Sequence, residues 1–419
     1  MVKWLTVALL AGVLCGVIGS VFHIGVHHAT TLRMEHGWLL WCLPVVGFAI
    51  GGVYKLTGSS GLGTNSVIDE VRLGKGVSVG LLPAIFAGTV LTHLCGGSAG
   101  REGAALQMGG TIGYHTGRLL RFDDLDLRVA TMTGMAAFFS ALFGTPLAAV
   151  VFVITVASVD ITYHAAFVPC LTASLVAFGI SLVMGVEPTR LSVLMPEVEV
   201  GMMVRVAVFA VLCALVSVLF CRTIHLVERL LEKWIPNEWV RAVAGGCLIV
   251  GLTVLCGTTD YNGAGMEVIT AAVEHGIARP EAFVLKLLFT AVTLACGFKG
   301  GEVVPSFFVG ATFGCAVGPL LGIPAGVAAA LGLIGVFCGA TNCPIASVFL
   351  AVELFGDGGM LYFAMTCGIS YMLSGNTSLY ASQEILYSKL KAERIGTQAT
   401  ADHTEGLYQA SPIMNHAKE

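Results

Sequence analysis

Residues 96–110 read GGSAGREGAALQMGG, which sets Arg101 and Glu102 among six glycines with apolar runs on both sides. A helix that starts just after a glycine-rich turn presents unpaired N–H groups and the positive end of its dipole. Such an end is a ready anion site, and glycines such as Gly100 and Gly103 keep side chains away so that an ion reaches the backbone directly. Glu102 would then be a built-in anion at an anion site. Ionised, it competes with a permeant ion; protonated, it leaves. A carboxylate inside a membrane is costly and points to function by default. The plainer alternative is a glutamate that caps its helix or pairs with Arg101. GGEVVPSFF (300–308) meets the same description, with Glu302, Val303 and Val304 at a helix start and Pro305 suited to the first turn. GSSGLGTNSVIDE (58–70) is a third candidate, bringing Leu62, Gly63, Thr64 and Asn65, with Asn65 expected as a cap.

These stretches need elements to hold them, and the composition says which. Of 419 residues, 56% are hydrophobic and only 11% charged, with a mean hydropathy of +0.86. Soluble domains carry roughly a quarter charged residues, so the chain reads as an integral membrane protein. Apolar runs recur from Val7 to Leu373. Several reach the ~20 residues that a spanning helix needs, while others are short or cut by Gly and Pro. Lipid offers backbone groups no partner, and the alternation of a barrel is absent, so the predicted fold class is all-α with broken and partly spanning helices. MVKWLTVALLAGVLCGVIGS lacks a convincing cleavage site and reads as a retained first helix. The thirteen cysteines show neither CxxC nor Cys/His ligand spacing, so they read as packing residues, with no metal and no cofactor expected. No basic patch interleaved with aromatics suggests nucleic acid; the lipid bilayer is the evident partner.

The second half echoes the first. GREGAALQMGGTIG (100–113) resembles GGEVVPSFFVGATFG (300–314), with Glu102 and Glu302 200 residues apart, and GTPLAAVVFVITV (144–156) resembles NCPIASVFLAVEL (342–354), with Pro146 and Pro344 198 apart. The reading is a duplicated membrane domain: an N-terminal repeat over 1–185, a C-terminal repeat over 201–380, and a last helix with a short polar tail over 381–419. Internal repeats are typical of secondary transporters, whose ion sites lie where broken helices meet. The basic cluster Lys389, Lys391 and Arg394 predicts a cytoplasmic C-terminus. The polar tail from about Thr397 is expected to leave no room for a regulatory domain.

Over nearly its whole length the chain resembles the CLC family of chloride channels and proton-coupled anion antiporters. GREGA resembles the family's GREGP signature, GLGTN its GSGIP, GGEVVP its GxFxP, and NTSLYASQEIL, with Tyr380, the segment bearing its filter tyrosine. The resemblance implies an inverted repeat of tilted helices, a homodimer with one ion pathway per subunit, and both termini in the cytoplasm. It makes Glu102 the gating glutamate and Tyr380 a hydroxyl donor on the cytoplasmic side. The departures are informative. Leu62 stands where chloride-selective members place a serine. Val303 replaces the filter phenylalanine, Glu302 stands beside it in place of an aliphatic residue, and Ala104 replaces the signature proline. Thr155 and Val156 fall where chloride antiporters carry paired glutamates.

Together these changes resemble the fluoride-transporting branch of the family. The function expected on that resemblance is a fluoride/proton antiporter that exports fluoride, with Glu102 carrying the proton and Glu302 accepting it in a hydrogen bond. Fluoride is small and strongly hydrated, so its site must supply close hydrogen-bond donors; helix-start N–H groups and the Asn65 amide suit that need. The partners are then fluoride, with chloride as the alternative anion, and protons. The rival readings are a chloride/proton antiporter or passive anion channel on the same fold and, more remotely, an intramembrane acid/base enzyme using Glu102 and Glu302. No nucleophile–base arrangement accompanies that pair, so a non-enzyme is expected. The compact chain suggests a bacterial inner membrane.

Overall fold

The structure is a computed structural model and describes residues 2–157, 163–389 and 394–398. Helices come in two series of eight. The first runs α1 (Val2–Glu35), α2 (Leu43–Leu56), α3 (Thr64–Leu73), α4 (Leu81–Leu94), α5 (Glu102–Leu119), α6 (Asp124–Phe143), α7 (Pro146–Ala157) and α8 (Tyr163–Val183). The second runs α9 (Val200–Trp234), α10 (Glu238–Cys256), α11 (Met266–Glu274), α12 (Ala282–Ala295), α13 (Val303–Val317), α14 (Ala325–Thr341), α15 (Pro344–Phe355) and α16 (Met360–Leu373). Each series opens on a very long helix, of 34 and 35 residues. At 1.5 Å per residue these are about 50 Å long, well beyond the ~30 Å hydrocarbon layer, and so must tilt. Each series then reaches a third helix of only 10 or 9 residues and a seventh of 12. Seven helical stretches among the described residues are long and apolar enough to cross a bilayer. This is the mostly helical, multi-pass membrane fold with broken, tilted helices that the sequence led us to expect.

Glycine sets the core packing in the same way in both halves. α5 crosses α6 so closely that a Cβ on Gly109 would stand 2.4 Å from the Gly134 carbonyl oxygen, and one on Gly134 2.1 Å from that of Gly109. α13 crosses α14 through Gly310 and Gly332, with 2.2 Å for each. Lipid tails give helices no hydrophobic drive toward one another, so backbone contact through small residues supplies the packing. α5 is consequently buried all round through its first three turns, and α13 likewise from Val303 to Cys315.

These contacts refine the repeat. Gly109 pairs with Gly310 in role, and α5 begins at Glu102 where α13 begins at Val303. The structural offset is therefore one residue more than the glutamates alone suggest. Val303 is the counterpart of Glu102, and Glu302, the residue preceding α13, is the counterpart of Arg101.

Two further expectations need correction. Asn65 is not the cap of α3: Gly63 takes that place, its N–H donating to Ser66 Oγ at 3.2 Å, and Asn65 lies in the first turn. The described residues after 381, up to Lys389 and again over 394–398, hold no helix. Glu384–Tyr387 forms β1, paired antiparallel with β2 (Arg394–Gln398), Glu384 opposite Gln398 and Ile385 opposite Thr397. Its EILY run carries the strand-favouring Ile and Tyr, and Ile385 is buried. Lys389, counted in the basic cluster, is held between helices: Nζ donates to Asn342 Oδ1 at 2.5 Å, the Tyr371 carbonyl at 2.8 Å and Ser374 Oγ at 3.1 Å. Lys391 and the tail from 399 lie outside the described residues.

Candidate functional site

The two glycine-rich turns meet at the centre of the molecule. Gly100 N–H donates to the Gly301 carbonyl at 2.7 Å and Gly301 N–H to the Gly100 carbonyl at 2.9 Å, an isolated antiparallel bridge that draws the starts of α5 and α13 together. Side chains are excluded here for a physical reason. A Cβ on Gly301 would fall 2.4 Å from Gly103 N, and one on Gly103 3.0 Å from the Gly300 carbonyl oxygen.

Glu102, the first residue of α5, is fully buried. Its Oε1 accepts from Arg101 N at 3.0 Å and its Oε2 from Val304 N, in the first turn of α13, at 3.2 Å. One carboxylate thus takes an amide from each half, at two helix starts whose dipoles favour negative charge. The Arg101 side chain forms no ion pair with it; the guanidinium instead sits 5.9 Å from the Phe143 ring centre. The plain capping or pairing alternative therefore misses what the geometry provides: two amides from different halves closing on one anion. Ala104 and Val303 are wholly buried and line no polar contact.

The remaining predicted residues form a chain of bonds leading away from Glu102. Thr64 Oγ donates to the Gly103 carbonyl at 3.5 Å and accepts from Gln107 Nε2 at 3.1 Å, tying α3 to α5. Asn65 Oδ1 accepts from Ser382 N at 3.2 Å, so its carbonyl anchors the Tyr380 segment. That segment is clasped further: Arg72 donates to the Ser382 carbonyl and pairs with Glu384 at 2.8 Å, and Gln383 Nε2 donates to the Thr341 carbonyl at 2.9 Å. Tyr380 is 2% exposed and its hydroxyl has no partner among the described residues. Glu302 Oε2 is likewise buried and unpartnered. Lys299, three residues ahead of Glu302, places Nζ 4.3 Å from the Tyr54 ring centre. Leu62, Gly63, Thr64 and Asn65 line a cleft of about 520 Å³ that also holds Tyr54, Lys299, Glu228 and Arg241. A second cavity, of about 420 Å³, lies toward the C-terminal end of α1 and is lined by Arg101, Val304, His23, His93 and Arg33. The Glu102 seat stands between the two.

Two features escaped the sequence reading. Lys286, wholly buried in α12, donates Nζ to the carbonyls of Tyr261 (3.1 Å) and Gly263 (2.6 Å); its position inside LKLLFT was a signal. Arg72 and Ser382 hold the tyrosine segment but sit in ordinary polar company. Glu353 makes structural bonds, accepting from Leu147 N at 3.0 Å and Ala148 N at 2.9 Å and so capping α7 from α15. Among the described residues no cluster of three or more His, Cys, Asp or Glu side chains could hold a metal ion.

A polytopic membrane protein whose two halves close backbone amides on an internal carboxylate is the class that this fold and site define. The chain belongs to the voltage gated chloride channel family, whose sequence profile matches residues 46–375. It is 36% identical over 397 residues, 92% of this chain and 87% of the relative, to the chloride/fluoride channel protein of Pseudomonas syringae pv. tomato. It is 26% identical to the H(+)/Cl(-) exchange transporter ClcA of Vibrio cholerae, over 94% and 91% of the two chains. A crystal structure of a CLC-type fluoride/proton antiporter superposes with a TM-score of 0.87 at 31% identity, over 91% of this chain and 97% of that one. A slow cyanobacterial Cl-/H+ antiporter shares the fold, with a TM-score of 0.75 at 20% identity.

Proposed function

We propose that the protein is a fluoride/proton antiporter that exports fluoride from the cytoplasm, with Glu102 as both gate and proton carrier. The observation that carries this reading is the seat itself: a buried carboxylate on one amide from each half, where a small anion would fit once the carboxylate leaves. Ionised Glu102 occupies the seat; protonated Glu102 gives up its charge-assisted bonds and yields to fluoride. Exchange of one for the other in the same place couples the two fluxes in opposite directions. Fluoride favours such a seat because helix-start amides replace its lost water with short, strong donors. Leu62 offers no hydroxyl on the cleft side, which weakens the case for chloride. Likeness to the fluoride/proton antiporter and to the chloride/fluoride channel protein supports the same choice.

Glu302 acts as the inner acceptor. It lies within electrostatic reach of Glu102, and its Oε2 is free to take a hydrogen bond from the protonated carboxyl. The unpartnered Tyr380 hydroxyl, within reach of both glutamates, donates to the anion in passage. Leu62 to Asn65, Gly100 to Ala104 and Val303 to Val304 make up the wall of the path. The halves divide between α8 and α9, close to residues 185–201. The working form is a homodimer in a bacterial inner membrane with both termini cytoplasmic.

The test is fluoride efflux from proteoliposomes holding equal fluoride and chloride, with external pH recorded. Fluoride leaving much faster than chloride while protons enter, with coupling lost in Glu102→Gln, is the expected result. Chloride flux equal to fluoride flux would mark a chloride transporter on this fold, and a reversal potential independent of pH a passive channel. Unchanged proton coupling in Glu302→Gln would remove that residue from the path.

A further inference from the structure

His93 and Thr89 lie one turn apart on α4, and His93 Nδ1 is 2.9 Å from the Thr89 carbonyl oxygen. A carbonyl only accepts, so Nδ1 carries the hydrogen, and Nε2 is the bare lone pair of a neutral imidazole. The residue is 1% exposed, yet Nε2 has no partner among the described residues. Buried polar atoms are nearly always satisfied, so an exception calls for a reason. His93 is among the residues that line the cavity of about 420 Å³, as are Arg101 and Val304, the two residues whose amides hold Glu102. Space filling explains neither the fixed tautomer nor the idle nitrogen.

We infer that His93 is the proton-transfer residue of this vestibule, passing protons between its water and the Glu102 carboxylate. The inference rests on the proton-coupled reading of Glu102. A hydronium ion in the cavity gives its proton to Nε2, leaving water and an imidazolium whose Nδ1–H stays on Thr89. The Nε2–H bond then breaks, the proton passes through a cavity water to a Glu102 oxygen, and the imidazole returns neutral. The steps reverse for release. The charged surroundings suit a transient rather than a permanent imidazolium: α1 brings His23, His27 and Arg33, α5 brings Arg101 and Glu102, and α12 brings Lys286. Asp260 and, from α11, Glu267 balance them across the cavity. Lys299 and Tyr54 pack at Gly88, five residues earlier on α4.

His93→Gln tests the inference, because its amide keeps polar bulk near Nε2 but takes no proton. In proteoliposomes under a fluoride gradient, we expect proton-coupled turnover to fall about 100-fold, the low end for loss of a positioned proton donor. In His93→Ala, imidazole added on the vestibule side restores it, with a pH profile that follows the added imidazole. Wild-type proton flux and pH profile in His93→Gln would overturn the inference, as would a loss that imidazole fails to restore from either side. Wild type moving fluoride without protons would overturn the antiporter reading and this one with it. Coupled wild type with an unaffected His93→Gln overturns this one alone.

Discussion

Gly100→Ala tests whether carboxylate and anion share the seat. The three atoms nearest a Cβ at Gly100 all belong to the Glu102 side chain, with Oε2 at 2.0 Å, Cδ at 2.9 Å and Oε1 at 3.1 Å. Gly100 is not among the glycines with positive φ, so alanine fits its backbone. The methyl group therefore evicts one flexible carboxylate and little else. That carboxylate loses its bonds to Arg101 N and Val304 N. Hydrogen bonds to a charged group contribute about 1.5–3 kcal/mol each, so the seat loses at least ~3 kcal/mol of preference for its own carboxylate. At 1.4 kcal/mol per factor of ten, that is about 100-fold. The same methyl group stands where an anion on these amides would sit, so it excludes fluoride as it excludes the carboxylate. Fluoride binding, followed by calorimetry, should weaken by about 100-fold in Gly100→Ala at every pH, whereas Glu102→Gln, which carries no competing charge and leaves Gly100 unchanged, should bind fluoride at least as tightly as wild type. Gly52→Ala, where an added methyl group meets nothing within 4 Å, serves as the control. Unchanged fluoride affinity in Gly100→Ala, with the protein folded, would refute the idea that carboxylate and anion share one place.

Gly109→Ala and Gly310→Ala should each destabilise by about 1–3 kcal/mol or more, because the new methyl meets backbone that cannot move aside. Thermal unfolding in detergent should show similar losses for both, since the geometry repeats. Tyr380→Phe removes a hydroxyl with no partner, so unfolding should shift by no more than about 0.5 kcal/mol. Fluoride affinity should nonetheless drop about 3- to 10-fold, the loss of one neutral hydrogen bond. Glu353→Ala leaves Leu147 N and Ala148 N unpaired at the start of α7 and should cost about 1.5–3 kcal/mol, with the proton-to-fluoride ratio unchanged. A lost ratio with intact stability would make Glu353 a proton carrier.

The legible parts of the molecule were those written in local chemistry. Glycine-rich turns ahead of apolar runs located the starts of α5 and α13, and low charge with recurrent apolar runs announced a helical membrane protein. What stayed hidden depends on tertiary register. A one-residue shift between the halves made Glu302 the counterpart of Arg101, and the Gly109–Gly134 and Gly310–Gly332 crossings, the helix starts and the Gly100–Gly301 bridge reveal it. Asn65 looked like a cap because asparagine commonly caps, but a residue more than 300 positions later claims its oxygen. The strand at Glu384–Tyr387 is four residues long with no period-2 alternation, so nothing local set it apart from the helices before it. His93 is a packed histidine whose unpartnered Nε2 no local pattern announces.

The Gly100–Gly301 bridge joins positions that hold the same place in their halves, each two residues ahead of its helix start. The bridge is therefore a ruler as well as a tie: two backbone bonds of 2.7 and 2.9 Å fix how far apart the starts of α5 and α13 stand. That spacing decides whether Arg101 N and Val304 N can close on one carboxylate, so the span of the seat is set by main chain alone. Side-chain changes at either helix start alter what sits in it and leave its width as it was.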